Sequence, residues 1–302
     1  MDIFKLPSSI SWCESKYKVV PYIAEFWNTL TGICLIVSGL LFYKNNQSLI
    51  SAHFSRIIGL LIFVGIGTML FHSTLYYPFQ LLDELPMILL CNEYLVLLMS
   101  LETTQKTLSE THLYILNNGL FYSYSMIPFI IVSYFIHPML QVVSFHITLK
   151  ISEISIVLIL YKLSTTLNHI VYSKIYKRQE LLRQHRQTNR EKLLSKQCSF
   201  NLKKDSKNIY DSLNETALLH IVQKNIKQYI KYRSELKNTI RLGLYFYGIS
   251  MGIWCIENMF CKYVQPLQLH AIWHLLSSIG VYYLNTIMKI HITIDEFTYR
   301  NE

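Results

Sequence analysis

"IIGLLIFVGIGTMLFHSTLYY", residues 57–77, contains no Asp, Glu, Lys or Arg. A hydrocarbon core of about 30 Å takes about 20 apolar residues as a helix, so this stretch predicts a membrane span. Six further stretches read the same way, near Phe26–Tyr43, Pro86–Leu101, Leu113–Ile136, Met139–Leu163, Leu242–Phe260 and Leu269–Met288. Pro86–Leu101 is the shortest of them. The fourth and fifth in chain order meet at "IHPML", where Pro138 predicts a break. The expected fold is all-α, a polytopic membrane protein with seven transmembrane helices.

Composition supports this reading. A chain of 302 residues allows two soluble domains, but 51% of these residues are hydrophobic and 16% charged. The charges are also unevenly spread. Lys174 to Arg241 holds seventeen Lys and Arg against six Asp and Glu, a balance of +11, and the remainder nets −2. The predicted organisation is an N-terminal arm (1–25), helices 1–5 (26–163), a basic insertion (164–241), helices 6–7 (242–290) and a tail (291–302). "MDIFKLPSSISW" has no apolar h-region, so no cleavable signal is expected. Lys44, Arg56, Lys106 and the insertion fall on one side of the membrane, which the positive-inside rule makes cytosolic. The N-terminus is then luminal or extracellular, and the C-terminus cytosolic.

"KIYKRQELLRQHRQTNREKLL" typifies the insertion, with leucines and isoleucines at spacings compatible with amphipathic helices. Contact with anionic lipid is the preferred role, at about 1 kcal/mol per basic residue near the surface. A helical extension of spans five and six is the other. No stacking or motif pattern accompanies the charge, so nucleic-acid binding is not expected.

Ionisable groups inside spans mark functional sites. His72 lies near the end of span two, Asp83 just before span three, Glu25 at the start of span one, and His270 and His274 open span seven. The topology brings all of them to one depth on the non-cytosolic face. In "LQLHAIWHLLSSIG" the two histidines are four apart and share one helix face. Three histidines and a carboxylate suit a catalytic zinc, which takes imidazole nitrogens and keeps one position for water. Asp83 is positioned to act as general base, or to orient a ligand histidine. Thr68 precedes His72 by four, so its hydroxyl shares that face and is available to a developing oxyanion. His146, Lys150 and Glu153 align on span five and read as a paired structural stripe. Cys34, Cys91 and Cys255 fall in spans as expected buried thiols, and Cys198 in the insertion as a reduced one.

"SWCESKYKVVPYIAEFWNT", "GTMLFHSTLYYPFQLLDELPMI", "IWCIENMFC" and "LQLHAIWHLL", in this order, resemble the alkaline ceramidases. These are seven-span hydrolases of the superfamily that also holds the adiponectin receptors. The resemblance covers roughly residues 8–163 and 240–290 and skips the insertion. It implies zinc on His72, His270 and His274, Asp83 serving the activated water, and residence in the endoplasmic reticulum or Golgi. The implied reaction is hydrolysis of ceramide or phytoceramide to a sphingoid base and a fatty acid, reversible in yeast relatives. The family's catalytic serine falls on Thr68. The resemblance also implies a calcium site at Ser11, Trp12, Glu14, Lys16 and Glu25. Here the usual Asp is Ser11 and the usual Asn is Lys16, which weakens Ca²⁺ binding. Two states of Lys16 follow: its ammonium takes the calcium position against Glu14 and Glu25, or it turns to solvent. A disulfide between Cys13 and Cys261 is implied as well. The alternatives from other classes are a receptor-like seven-span protein with a structural zinc, and a related lipid-remodelling hydrolase.

Overall fold

The computed structural model describes residues 5–47, 51–100, 110–196 and 205–299. Lys106 and Cys198 therefore lie outside the described residues. The helices, in chain order, are α1 Phe26–Thr31, α2 Ile33–Asn45, α3 Ala52–Thr74, α4 Tyr77–Ser100, α5 Glu110–Ile136, α6 Pro138–Lys196, α7 Asp205–Val264 and α8 Leu269–Tyr299. A short 3-10 turn, Gln265–Leu267, precedes α8. The one bridge outside helices among the described residues pairs Pro7 with Tyr76. The fold is all-α, as expected.

Each predicted apolar stretch lies wholly or largely in a helix, with shifted boundaries. The third starts earlier than expected: α4 begins at Tyr77 and carries Pro86 inside it, so Asp83 is helical and does not precede the helix. Proline costs α4 the hydrogen bond that the Leu82 carbonyl would otherwise accept. That carbonyl faces Gly67 of α3, where an added Cβ would stand 2.3 Å from Leu82 O. Only glycine permits this approach. Gly65 does the same toward α2, its Cβ position lying 2.6 Å from Ile36 Cγ1.

Phe26–Asn45, Ala52–Thr74, Pro138–Lys162 and Ile230–Leu267 are long and apolar enough to cross a membrane, among the described residues. α4 and α8 break their apolar runs with Asp83, Glu84 and Glu93 in one, and His270, His274 and Asn285 in the other. Large apolar side chains, including Leu40, Phe63, Phe135 and Leu158, point outward. That is the surface of a membrane protein. Cys255 belongs to it: this thiol is exposed on α7 and not buried, while Cys34 and Cys91 are half-buried.

Ile88, Ile130, Phe145 and Leu149 form an inner apolar cluster joining α4, α5 and α6. α8 packs on α2, where Ser38 Oγ donates to the Ser278 carbonyl at 2.9 Å, and on α4, where Tyr94 Oη donates to Asn285 at 2.9 Å. Residues 162–235 form a compact unit of their own. Its described backbone is helical.

Candidate metal centre

The end of α3 delivers His72 and the first turns of α8 deliver His270 and His274. All three are buried, and one ring nitrogen from each lies within 4.8 Å of the others. Every Nδ1 already has a partner. His72 Nδ1 lies 2.5 Å from Glu25 Oε2, His270 Nδ1 3.2 Å from Glu257 Oε2, and His274 Nδ1 3.0 Å from Thr31 Oγ1. This fixes each ring with Nε2 as the remaining donor atom. His72 Nε2 is buried and has no hydrogen-bond partner. An orphaned polar atom in an apolar interior is costly, and convergent imidazole nitrogens are what a metal ion satisfies. The cluster can hold a metal ion.

Backbone pairing sets the geometry at the α3 terminus. The carbonyls of His72, Ser73 and Leu75, left over at the helix end, accept from the N–H groups of Glu25, Ala24 and Ser8, each at 2.9 Å. Leu75 ends α3 with φ 55°, and Gln268 precedes α8 with φ 51°. With Tyr17, these are the non-glycine residues in left-handed backbone among the described residues. All three flank the site, where such strain tends to collect.

Thr68 and Asp83 meet across the contact that Gly67 opens. Thr68 Oγ1 lies 2.5 Å from Asp83 Oδ1 and 2.9 Å from the Val64 carbonyl, so its single proton is shared between two acceptors. Thr68 is buried one turn before His72, and Asp83 beside it is half-buried.

The N-terminal arm closes over these residues. The Trp12 ring stacks on His270 with centroids 3.8 Å apart, and Trp12 N–H donates to Glu25 Oε1 at 2.9 Å. Lys16 Nζ donates to the Trp12 carbonyl at 2.6 Å and pairs with Glu25 Oε1. Burial opposes charge on Glu25, yet His72 and Lys16 hold its carboxyl well below the usual carboxylate range. Glu14 departs from the expected pairing: it takes no part with Lys16 and accepts from the backbone N–H groups of Trp27 and Asn28 at 2.8 and 3.0 Å. The unpaired N–H groups at the start of α1 draw it away. Ser11 is exposed. The Lys16 ammonium thus takes the Glu25 oxygen and the Trp12 carbonyl, where the resemblance implies calcium. Cys13 and Cys261 form a disulfide with Cα atoms 5.4 Å apart.

The sequence profile of the ceramidase family matches residues 5–302. The chain belongs to the ceramidase family. It is 49% identical over 85 residues to alkaline ceramidase YPC1 of Saccharomyces cerevisiae, which is 27% of this chain and 26% of the yeast protein. It is 38% identical over 86 residues to alkaline ceramidase 3 of Mus musculus, covering 28% of this chain and 32% of the mouse protein. These matches span a third or less of those relatives' lengths. The Dictyostelium discoideum relative dcd3A is 23% identical over 296 residues, which is 91% of this chain and 83% of its own.

Several residues around this ceramidase-family site escaped the sequence reading. Glu257 carried a signal, being an acid inside an apolar run. Thr31 carried none. Glu84 carried the same signal as Glu257, but its partners did not: Gln80 Nε2 donates to Ser9 Oγ at 2.6 Å and Glu84 Oε1 at 2.8 Å, while Gln141 Nε2 donates to Glu84 Oε2. That network ties the arm to α4 and α6 next to Asp83.

Proposed function

We propose that this chain is an intramembrane, zinc-dependent ceramidase that cleaves the amide of ceramide or phytoceramide to a sphingoid base and a fatty acid, with the reverse synthesis open to it. The observation that carries the reading is the convergence of three buried imidazoles, with Thr68 bonded to Asp83 one turn before His72, in a chain of this family. Zinc suits three histidines with no thiolate. The reading includes seven spans, with α4, α5 and α8 crossing besides the four long apolar segments. It also includes a luminal arm, a cytosolic C-terminus, residence in the endoplasmic reticulum or Golgi, and a basic insertion against anionic lipid. In place of calcium, Lys16 supplies a fixed cation to Glu25.

The mechanism assigns one task to each group. When bound by His72, His270 and His274, zinc supplies a Lewis acid and lowers the pKa of water to about 7. Asp83 Oδ1 takes a proton from the attacking water and returns it to the departing amine nitrogen. Thr68 Oγ1–H, now on Asp83, turns to the carbonyl oxygen as negative charge grows there. Glu25, Glu257 and Thr31 hold the three Nδ1 atoms and so keep Nε2 directed inward. The Trp12 indole and the disulfide-held arm cover the cluster against bulk water.

The test is turnover by the purified full chain on ceramide, phytoceramide and a phospholipid, with zinc content measured in parallel. Release of fatty acid from the two ceramides alone is the expected result. Cleavage of the phospholipid alone, or zinc retained with no turnover on any of the three, would overturn the proposal.

A further inference from the structure

α7 turns its side chains outward between Cys255 and Lys262 with one exception. Cys255, Ile256, Asn258, Met259, Phe260, Cys261 and Lys262 are exposed, whereas Glu257 is buried. A carboxylate is costly to bury in an apolar helix, so it needs partners that hold it there. Both of its oxygens have one. Oε2 faces His270 Nδ1 at 3.2 Å, and Oε1 accepts from Cys13 N–H at 3.4 Å.

The sequence places a second grip on the same arm residue. Cys261 follows Glu257 by four, just past a break in the helical backbone at Phe260 (φ −123°, ψ 25°). Cys261 holds the Cys13 sulfur covalently, while Glu257 holds the Cys13 backbone N–H. Trp12, the residue before Cys13, stacks on the His270 ring from the other direction. His270 is thus set by an arm-bound carboxylate at its Nδ1 and an arm-borne indole on its face.

We infer that Glu257 is a positioning residue that orients His270 for the metal and transmits to that ring the anchoring of the arm by Cys13–Cys261. It touches no substrate. It acts by fixing the Nδ1–H tautomer and the ring plane, which leaves Nε2 aimed at the ion. This rests on the proposed metal centre, and it adds a residue and a coupling that the family match does not supply.

Outer partners of ligating histidines typically change metal affinity 10–100-fold when removed. The experiment measures Co²⁺ affinity of the purified full chain by chelator competition, reading the visible spectrum of the bound ion, beside a thermal melt. Glu257→Leu should weaken binding about 10–100-fold, and Glu257→Gln, which keeps an acceptor but no charge, should weaken it less. Glu153→Gln, another carboxylate facing α7, should leave affinity unchanged. In a double-mutant cycle, Glu257→Gln and Cys13→Ser with Cys261→Ser should lose affinity non-additively. The isosteric Gln variant keeps the test open where Leu fails to fold. A lower melting temperature with wild-type Co²⁺ affinity would reduce Glu257 to a packing role and overturn the inference while the proposed function stood. Strictly additive losses would overturn the coupling to the arm. Absence of Co²⁺ and Zn²⁺ binding by the wild type would overturn the metal centre itself.

Discussion

The metal centre and the charged stripe of α6 are both clusters of ionisable groups inside apolar helices, but they close differently. In the stripe, Lys150 Nζ donates to Glu153 Oε2 at 2.6 Å, and Tyr247 Oη donates to the same oxygen at 2.8 Å. The ammonium lies 5.9 Å from the Trp254 ring centroid, and His146 packs 5.4 Å from the same ring. Its charges cancel within the cluster. At the metal centre, the carboxylates of Glu25 and Glu257 are taken up by Nδ1 atoms and arm N–H groups, and Lys16 is taken up by Glu25. What remains is an inward-facing imidazole nitrogen with no partner. A cluster that satisfies itself fixes helices against one another; one with directed lone pairs left over binds something.

The contrast is broken most severely at the ligands. His274→Ala should lose bound zinc and reduce turnover to background, measured by metal content and fatty-acid release on one sample. Asp83→Asn should keep a full complement of zinc and lose about 10²–10⁴-fold in turnover. Asp83→Asn protein that loses its metal would make Asp83 part of the metal's support and not the group that moves the proton.

The next effect is steric. Gly67→Ala places a methyl 2.3 Å from the Leu82 carbonyl, a backbone atom that cannot swing away. α3 and α4 must then separate, which draws Asp83 off Thr68. A stability loss of about 1–3 kcal/mol is expected, with a fall in turnover at unchanged zinc content. Gly59→Ala is the control: its Cβ meets nothing within 4 Å, and stability and turnover should hold.

Gly67 also shows where legibility ends. That the apolar stretches are helical was legible in hydropathy, and that His72, His270 and His274 belong together was legible in ionisable groups placed inside apolar runs. The closeness of α3 and α4 was not, because a glycine in an apolar run looks the same whether it faces lipid or a neighbouring carbonyl. Pro86 misled for a related reason. It reads as a helix start, yet α4 absorbs it and leaves the Leu82 carbonyl facing Gly67. Thr31 was invisible, since nothing in "EFWNTLTG" distinguishes a hydroxyl that bonds only its own helix from one that bonds the Trp27 carbonyl and also meets His274. Lys16 was half legible. Its charge predicted a partner, and Glu25 is that partner, but the competing pull of the α1 N–H groups on Glu14 arises only once the helix exists.

Lys16 yields the fourth prediction, a change in ion preference. Lys16→Asn removes the cation from Glu25 and restores an oxygen ligand. The variant should melt below the wild type in the absence of Ca²⁺ and recover on its addition. At Ca²⁺ about 100 times the dissociation constant, linkage supplies about 2.7 kcal/mol, a shift of several degrees. The wild type should show no Ca²⁺-dependent shift. Equal shifts in the two proteins would mean that the ammonium leaves the site and calcium enters regardless.

The smallest effect on chemistry should come from the stripe, and there the comparison becomes sharpest. Lys150→Met strands Glu153, and Glu153→Gln strands Lys150; the Lys150 side chain is 35% exposed and that of Glu153 19%. Stranding one charge of a mostly buried pair is costly, whereas replacing both together often costs little. Each single variant should therefore lower the melting temperature, and the double variant should recover most of the loss, with interaction energy of about 0.5–3 kcal/mol in the cycle. Zinc content and turnover should equal wild type in all three, because the charges of Lys150 and Glu153 are taken up within the stripe. A drop in turnover at full zinc content would show that α6 contributes to catalysis after all, and that internal charge cancellation is not enough to mark a cluster as structural.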